Sequence, residues 1–396
     1  MTTRDLLIEP TDILFFRDAI PMSAGQGQGG GVRLPLPSTM HGAFRASLHL
    51  DSGTSVTGRN QQGRPKDAPR GEHVDFSQYQ QQKTIASARY QSLQLQGPLP
   101  WHKDYGLLFP IPLDLCWNKD KIPEEALKLL EKSSVDKPLT HIPVSPVPPQ
   151  KAGESGWWTT KQYEAYLKGD FSIDLKPIPT GDLWQAEYRV GVEISPETYG
   201  SVEGQLYASN VMRFDEKTSL WSRAILKNPK NDETGEFTKL QWLLLGGERR
   251  LARLQNLESN KTVLPEAVKL RENGPWLIKW VLVTPSIFIG GYMPGWIVDG
   301  DVMLQLTENG EKQPIKAKLI SHCVGKPMTI SGRDLMGEHP KPTRLAVAPG
   351  AVYYFKCESL EDARKLTTAL HWKPRSDFEG EKGFGYGFCG RAEVIK

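Results

Sequence analysis

Apolar positions open the chain in two short runs, Leu6-Leu7-Ile8 and Ile13-Leu14-Phe15-Phe16, split by Pro10. They predict an opening strand that ends at Arg17-Asp18, followed by a glycine-rich loop, Gly25 to Gly31. After Leu34-Pro35-Leu36-Pro37, Ser38 can cap a helix running to about Leu50. Met40, Ala43, Phe44 and Leu48 recur at helical spacing and face a core, while His41, Arg45 and His49 form a second, more exposed stripe. Pro123-Glu124-Glu125 carries helix-start signals and predicts a short helix through Lys132. Tyr188 to Ile194 alternates as a strand, and Leu243-Leu244-Leu245 reads as a strand entering a basic glycine turn, Gly246-Gly247-Glu248-Arg249-Arg250. Ala351 to Cys357 is a further strand, and Ser359 with Asp362 resembles a capping box before a helix that turns Ala363, Leu366 and Leu370 inward. A glycine stretch, Gly383-Phe384-Gly385-Tyr386-Gly387, follows, and Ala392-Glu393-Val394-Ile395 is expected to close the chain as a strand.

Two segments interrupt this pattern. Residues 51–72 are polar and rich in Gly, Arg and Gln, which predicts an inserted loop; residues 138–156 form a proline-rich spacer. The expected boundary lies near residue 200, giving domains 1–200 and 201–396. Strand–helix–strand at the C-terminus is the second half of a ferredoxin-like unit, and the opening strand, loop and helix are the first half of another. The fold class is therefore α+β: two ferredoxin-like (RRM-like) domains with long loop insertions.

Composition narrows the class. Of 396 residues, 38% are hydrophobic and 24% charged, the balance of a soluble globular protein. With 37 glycines and 30 prolines the chain is too rich in helix breakers for an all-helical bundle. The net charge of +3 permits nucleic-acid binding without arguing for it, so any such site needs its positive charge gathered on one face. The four cysteines form no C-x-x-C pair, which speaks against a disulfide framework or a zinc site. No signal-peptide pattern opens the chain, and its most apolar stretch, Trp276 to Met293, is broken by Lys279 and Pro285. A cytoplasmic protein with no membrane contact is expected.

Candidate chemistry is sparse. Gly25-x-Gly27-x-x-Gly30 fits the dinucleotide fingerprint, but Val32 to Pro37 intervenes where a helix must start at once, so no nucleotide cofactor is expected. Gly27, Gly29 and Gly30 then belong either to a flexible loop or to a contact with an RNA backbone. Gly383, Gly385 and Gly387 either bring amides close to phosphates, with Phe384, Tyr386 and Phe388 stacking on bases, or form a tight turn before the last strand. Arg45 has a planar fork suited to phosphate, against a salt-bridged helix face; His41 is a candidate general acid or base. Arg17-Asp18 reads as an ion pair at a strand end or as part of the same surface. Arg249, Arg250, Lys341 and Arg344 sit beside Gly or Pro and mark exposed basic turns. No H-E-x-x-H, G-x-S-x-G, P-loop or Gly-Gly-Asp-Asp motif occurs, and no metal-ligand spacing.

Four ordered segments carry a resemblance: Asp12 to Asp18 with the glycine loop and Pro37 to Arg45; Gly246 to Arg250; Pro340 to Val347 with Gly350; and Gly383 to Gly387. Together they resemble the family of the third Cmr subunit, RAMP-superfamily proteins of type III-B CRISPR effector complexes. The resemblance implies two ferredoxin-like domains and a non-catalytic subunit that holds the 5′ handle of the guide RNA (crRNA). It also implies docking to the large cyclase-type subunit and contact with backbone RAMP subunits, with target RNA met only through the complex. Arg17, Gly27, Gly29, Gly30, His41, Arg45, Arg249, Arg250, Lys341, Arg344, Gly383, Gly385 and Gly387 are the RNA-binding candidates. Two other functions stay open: a metal-independent guide-processing ribonuclease with His41 as acid–base, and a protein adaptor that touches no RNA.

Overall fold

The computed structural model describes residues 1–16, 28–29, 34–54, 89–131, 139–153, 156–229, 232–247, 250–258, 261–308, 311–334 and 339–395. The chain opens with β1 (Thr2–Pro10), α1 (Pro37–Asp51) and β2 (Leu93–His102). Short strands follow: β3 (Gly106–Pro110), β4 (Leu115–Trp117), β5 (Pro123–Ala126), β6 (Lys128–Glu131), β7 (His141–Val144) and β8 (Gly156–Thr159). Next come α2 (Thr160–Lys168), a long hairpin of β9 (Trp184–Ile194) and β10 (Ser201–Phe214), and β11 (Thr218–Leu226). The chain continues through α3 (Glu233–Lys239), β12 (Trp242–Leu244) and β13 (Leu251–Asn256). It ends with β14 (Trp276–Leu282), β15 (Ala317–Cys323), β16 (Val352–Cys357), α4 (Leu360–Leu370) and β17 (Gly387–Arg391).

These elements form two compact units that interleave along the chain. One holds Met1–Pro98, Trp184–Glu258 and Thr329–Arg344; the other holds Leu99–Leu183, Ser259–Met328 and Leu345–Lys396. Residue 200, the expected boundary, falls in the turn of the β9–β10 hairpin. Pairing from Trp184↔Phe214 to Val192↔Leu206 keeps both sides of that turn in the first unit.

In the first unit the strand order is β2-β11-β1-β13-β12, with β1 antiparallel to both neighbours. Met40, Phe44 and Leu48 of α1 and Phe237 of α3 bury against Leu6 and Ile8 of β1 and Leu220 of β11. Fully burying such side chains contributes about 1.5–3 kcal/mol each. In the second unit the order is β15-β16-β14-β17, antiparallel throughout. Ser359 caps α4 by accepting from Asp362 N at 3.0 Å, and Ala363, Leu366 and Leu370 pack on Ile278, Trp280 and Phe355. No helix joins β14 to β15 among the described residues. The molecule is thus a mixed α/β protein, mostly strands with four helices among the described residues.

Several expectations are corrected. The opening strand ends at Pro10, and Leu14 keeps only a bridge to Met212. Residues 123–131 are strands rather than a helix, because β5 pairs with β4 and β6 with β7, where Leu129 is fully buried. β7 also lies inside the proline-rich segment, which is therefore more than a spacer. The closing strand is β17, while residues 392–395 retain a single bridge, Leu129↔Val394. Of the 51–72 loop only residues 51–54 are among those described. Among the described residues no helix is long and apolar enough to cross a membrane.

Candidate nucleic-acid interface

The first unit brings two of the sequence motifs together. Gly246 has φ +85°, and a Cβ there would sit 2.6 Å from the Phe15 carbonyl oxygen, so only glycine lets the turn approach. Gly247 N donates to that oxygen at 2.8 Å, and Leu245 N closes the turn on Arg250 O at 2.8 Å. Arg250 consequently reaches Asp12 at 3.5 Å, and Arg213 of β10 reaches the same carboxylate at 3.3 Å. Arg213 Nε also donates to Glu187 at 2.7 Å, as does Arg189 Nη2 at 2.7 Å. The Arg213 hydrogen bond, then that of Arg189, holds the Glu187 carboxyl below the usual range.

Three guanidinium groups thus face two carboxylates, with Arg189 and Arg213 exposed and Arg250 half-buried, one positive charge in excess. Exposed ion pairs contribute only about 0.2–1 kcal/mol, so a phosphate can replace a carboxylate at these forks at little cost. On the opposite face of β9 stand Tyr188, Val190 and Val192, all exposed, and Tyr199 at the hairpin turn is 85% exposed. Sequence reasoning missed Arg189, Arg213 and Glu187: Gln185↔Arg213 and Glu187↔Val211 are cross-strand partners 24 to 28 positions apart.

The other candidates are scattered. His41 is buried, its Nε2 3.1 Å from Leu93 O, and Arg45 is half-buried, with burial lowering its pKa. His49 is buried too, its Nδ1 2.7 Å from Thr54 Oγ1 and its pKa lowered to about 4 by burial and then by Arg45 and Arg89. The expected solvent-facing stripe of α1 is therefore inward, because β2 and α3 flank that side of the helix. Gly29 pairs in parallel with Ser209 of β10, which attaches the glycine loop to the hairpin. Lys341 and Arg344 are exposed, in the first unit. Arg17, Gly27, Gly30 and Arg249 lie outside the described residues.

Gly383, Gly385 and Gly387 belong to the second unit and are buried. Gly385 N donates to Pro285 O at 2.9 Å and Tyr386 N to Thr284 Oγ1 at 2.9 Å, so these amides are engaged within the fold. Phe384, Tyr386 and Phe388 are core residues; Phe388 stacks on Trp372 with centroids 5.0 Å apart. Of the two readings of this stretch, the geometry present is the tight turn. A phosphate cradle needs amides facing solvent, and base stacking needs exposed rings.

The second unit also holds a buried charge that no motif announced. Asp114 accepts from Tyr166 Oη at 2.5 Å and Tyr354 Oη at 2.9 Å, with Lys279 Nζ at 3.7 Å. Lys279 Nζ lies 3.4 Å from the Tyr166 ring centroid, and its burial lowers its pKa. This network ties β4's approach to β14 and β16 and is closed to solvent. Among the described residues no group of His, Cys, Asp and Glu side chains could hold a metal ion.

Two solved structures with which the chain aligns come from type III CRISPR complexes. One, from "Type III-B Cmr-beta bound to cognate target RNA", is 14% identical, with a TM-score of 0.47, covering 89% of this chain and 86% of that one. Another, from the "Csm3-Csm4 subcomplex in the type III-A CRISPR-Cas interference complex", is 12% identical, with a TM-score of 0.36, covering 88% and 92%. No curated protein matches the chain. The family described as "CRISPR-associated protein (Cas_Cmr3)" matches residues 6–391, and the chain belongs to that family, the one its four ordered motifs resemble.

Proposed function

We propose that the chain is a non-catalytic, RNA-binding subunit of a type III-B effector complex, holding the 5′ handle of the guide RNA and docking to the large cyclase-type subunit. The observation that carries this is the solvent-accessible cluster of Arg189, Arg213 and the half-buried Arg250, formed where the Asp12–Phe16 and Gly246–Arg250 motifs meet. Arginine forks there bind phosphates, which fixes the position of the strand on this face of the hairpin. Exposed apolar positions on β9 also suit contact with a neighbouring subunit. In each unit the central order, β2-β11-β1-β13 and β15-β16-β14-β17, supports a ferredoxin-like reading; in the second, short strand pairs over 297–302 and 305–314 stand where the first helix would.

His41 supports this reading over guide processing, since its Nε2 is engaged with Leu93 O inside the fold. The test is equilibrium binding of handle-bearing guide RNA to the protein and to Arg213→Glu and Arg250→Glu. Each reversal is expected to weaken binding and to flatten the salt dependence by about one phosphate contact, a slope change of roughly 0.7–0.9. Unchanged affinity and slope in both variants would remove the cluster from the interface. Binding of no RNA at all would favour the adaptor.

A further inference from the structure

β12 is the last strand at its end of the sheet, so β13 pairs with one side of it and the other side is an edge. Gln241 O accepts from Leu254 N at 2.7 Å, and Leu245 N donates to Arg250 O at 2.8 Å. These two bonds turn the main chain of Gln241, Leu243 and Leu245 toward β13, so the N–H and C=O of the alternate residues, Trp242 and Leu244, point outward. Leu244 N donates to Ser47 Oγ of α1 at 3.0 Å. The Trp242 N–H and C=O and the Leu244 C=O meet no partner among the described residues. That is the pattern of an unpaired strand edge.

Side chains flank this edge on both faces of the sheet. Ser47 fixes the side of α1 that runs along β12, and Leu50, three residues on and on the same side of the helix, is 67% exposed. Ala252 and Leu254 of β13 enter the core, which leaves Leu251 and Arg253 on the solvent face. Trp242, 47% exposed, lies directly across from Arg253, and Leu244 directly across from the exposed Leu251. Arg253 is exposed and in no ion pair among the described residues. Glu9, its cross-strand neighbour on β1, is engaged instead by Gln255 Nε2 at 2.5 Å.

These features define one kind of occupant. Open main-chain donors and acceptors in line match an extended peptide, which carries both along its length. An apolar side chain on its inner face covers Leu50. A carboxylate on its outer face, beside Trp242, lies two strands or about 10 Å from the Arg253 backbone, within the joint reach of the two side chains. We propose that β12 is a docking edge to which a neighbouring subunit of the effector complex adds an extended, acidic segment as a further strand. The inference rests on assembly into such a complex and not on RNA contact, since none of these residues belongs to the arginine cluster.

Hydrogen exchange over residues 240–256, compared between the free chain and the assembled complex, tests it. The Trp242 amide is expected to exchange freely in the free chain and to slow by about a hundredfold or more in the complex. Arg253→Glu and Leu50→Asp, both on the surface, should each reduce that protection roughly tenfold or more. Arg213→Glu, which weakens the proposed RNA contact, should leave it unchanged, so failure of one reading is distinguishable from failure of the other. Equal exchange of the Trp242 amide in the free and assembled states would overturn the proposal. So would protection that survives Arg253→Glu and Leu50→Asp intact, or that disappears with Arg213→Glu.

Discussion

Replacing Gly385 by alanine separates a packing role for the C-terminal glycine stretch from an RNA-binding one. Gly385 has φ +78°, and a Cβ placed on it would lie 2.1 Å from Ser376 N and 2.9 Å from Arg375 C. Neither atom can retreat easily: Arg375 N donates to Gly385 O at 3.0 Å, and Ser376 Oγ donates to Phe378 O at 2.7 Å and accepts from Ile287 N at 2.9 Å. A left-handed backbone on a non-glycine residue costs about 1–3 kcal/mol. Overpacking a filled site adds about 1–3 kcal/mol. Together these give a destabilisation of about 2–6 kcal/mol. For a unit of roughly two hundred residues, at about 2–4 °C per kcal/mol, the melting temperature falls by about 4–24 °C. Differential scanning calorimetry reads the shift, and guide-RNA titration well below the transition reads function, which is expected to stay within about twofold of the parent. A variant that melts within about 2 °C of the parent yet loses RNA would refute the packing role and return these amides to the interface.

Two further perturbations follow from the buried groups. Asp114→Asn leaves Lys279 without its counter-charge and is expected to cost about 3–5 kcal/mol in urea unfolding, with Asp114→Asn/Lys279→Met recovering at least half; a single variant within about 1 kcal/mol of the parent would show that the pair is not held as described. His49 titrates at about 4 in the folded protein against 6.5 ordinarily, so a proton on it favours the unfolded chain. Its neutral form supports the fold fully above pH 6.5, and that support is lost as pH falls toward 4. His49→Gln, which cannot take the proton, should remove about 1–2 kcal/mol of the acid destabilisation between pH 7 and 4.5; an unchanged difference between the two pH values contradicts this.

Local signals made some of this legible in the sequence. Ser359 and the apolar spacing after it locate α4 almost to the residue, and the apolar positions of α1 face the core as expected. Pro123-Glu124-Glu125 misleads because acids after a proline suit a helix start, yet β5 and β6 are fixed by partners at Leu115–Trp117 and His141–Val144, which propensity cannot see. The sequence places the last strand at Ala392–Ile395 and not at β17, because glycine is poor in strands. Gly387 and Gly390 are there for close approach, a Cβ meeting Val281 O at 2.5 Å and Leu167 O at 2.9 Å. The arginine cluster was only half legible. Arg250 stood out beside its glycines, whereas Arg189 and Arg213 are ordinary alternating polar positions until the hairpin and Asp12 bring them together. The inward turn of His41 depends on Leu93, 52 residues away, and has no local signal.

In the proposed function, RNA lies against the Arg189–Arg213–Arg250 surface of the first unit. Ultraviolet cross-linking of guide RNA in the assembled complex, with the cross-linked peptides identified by mass spectrometry, tests that directly. The predicted result is cross-links from the 5′ handle to peptides within residues 184–214 and 241–258, and none to residues 383–390. Handle cross-links confined to residues 383–390, or handle cross-links to other subunits with none to this chain, would contradict it.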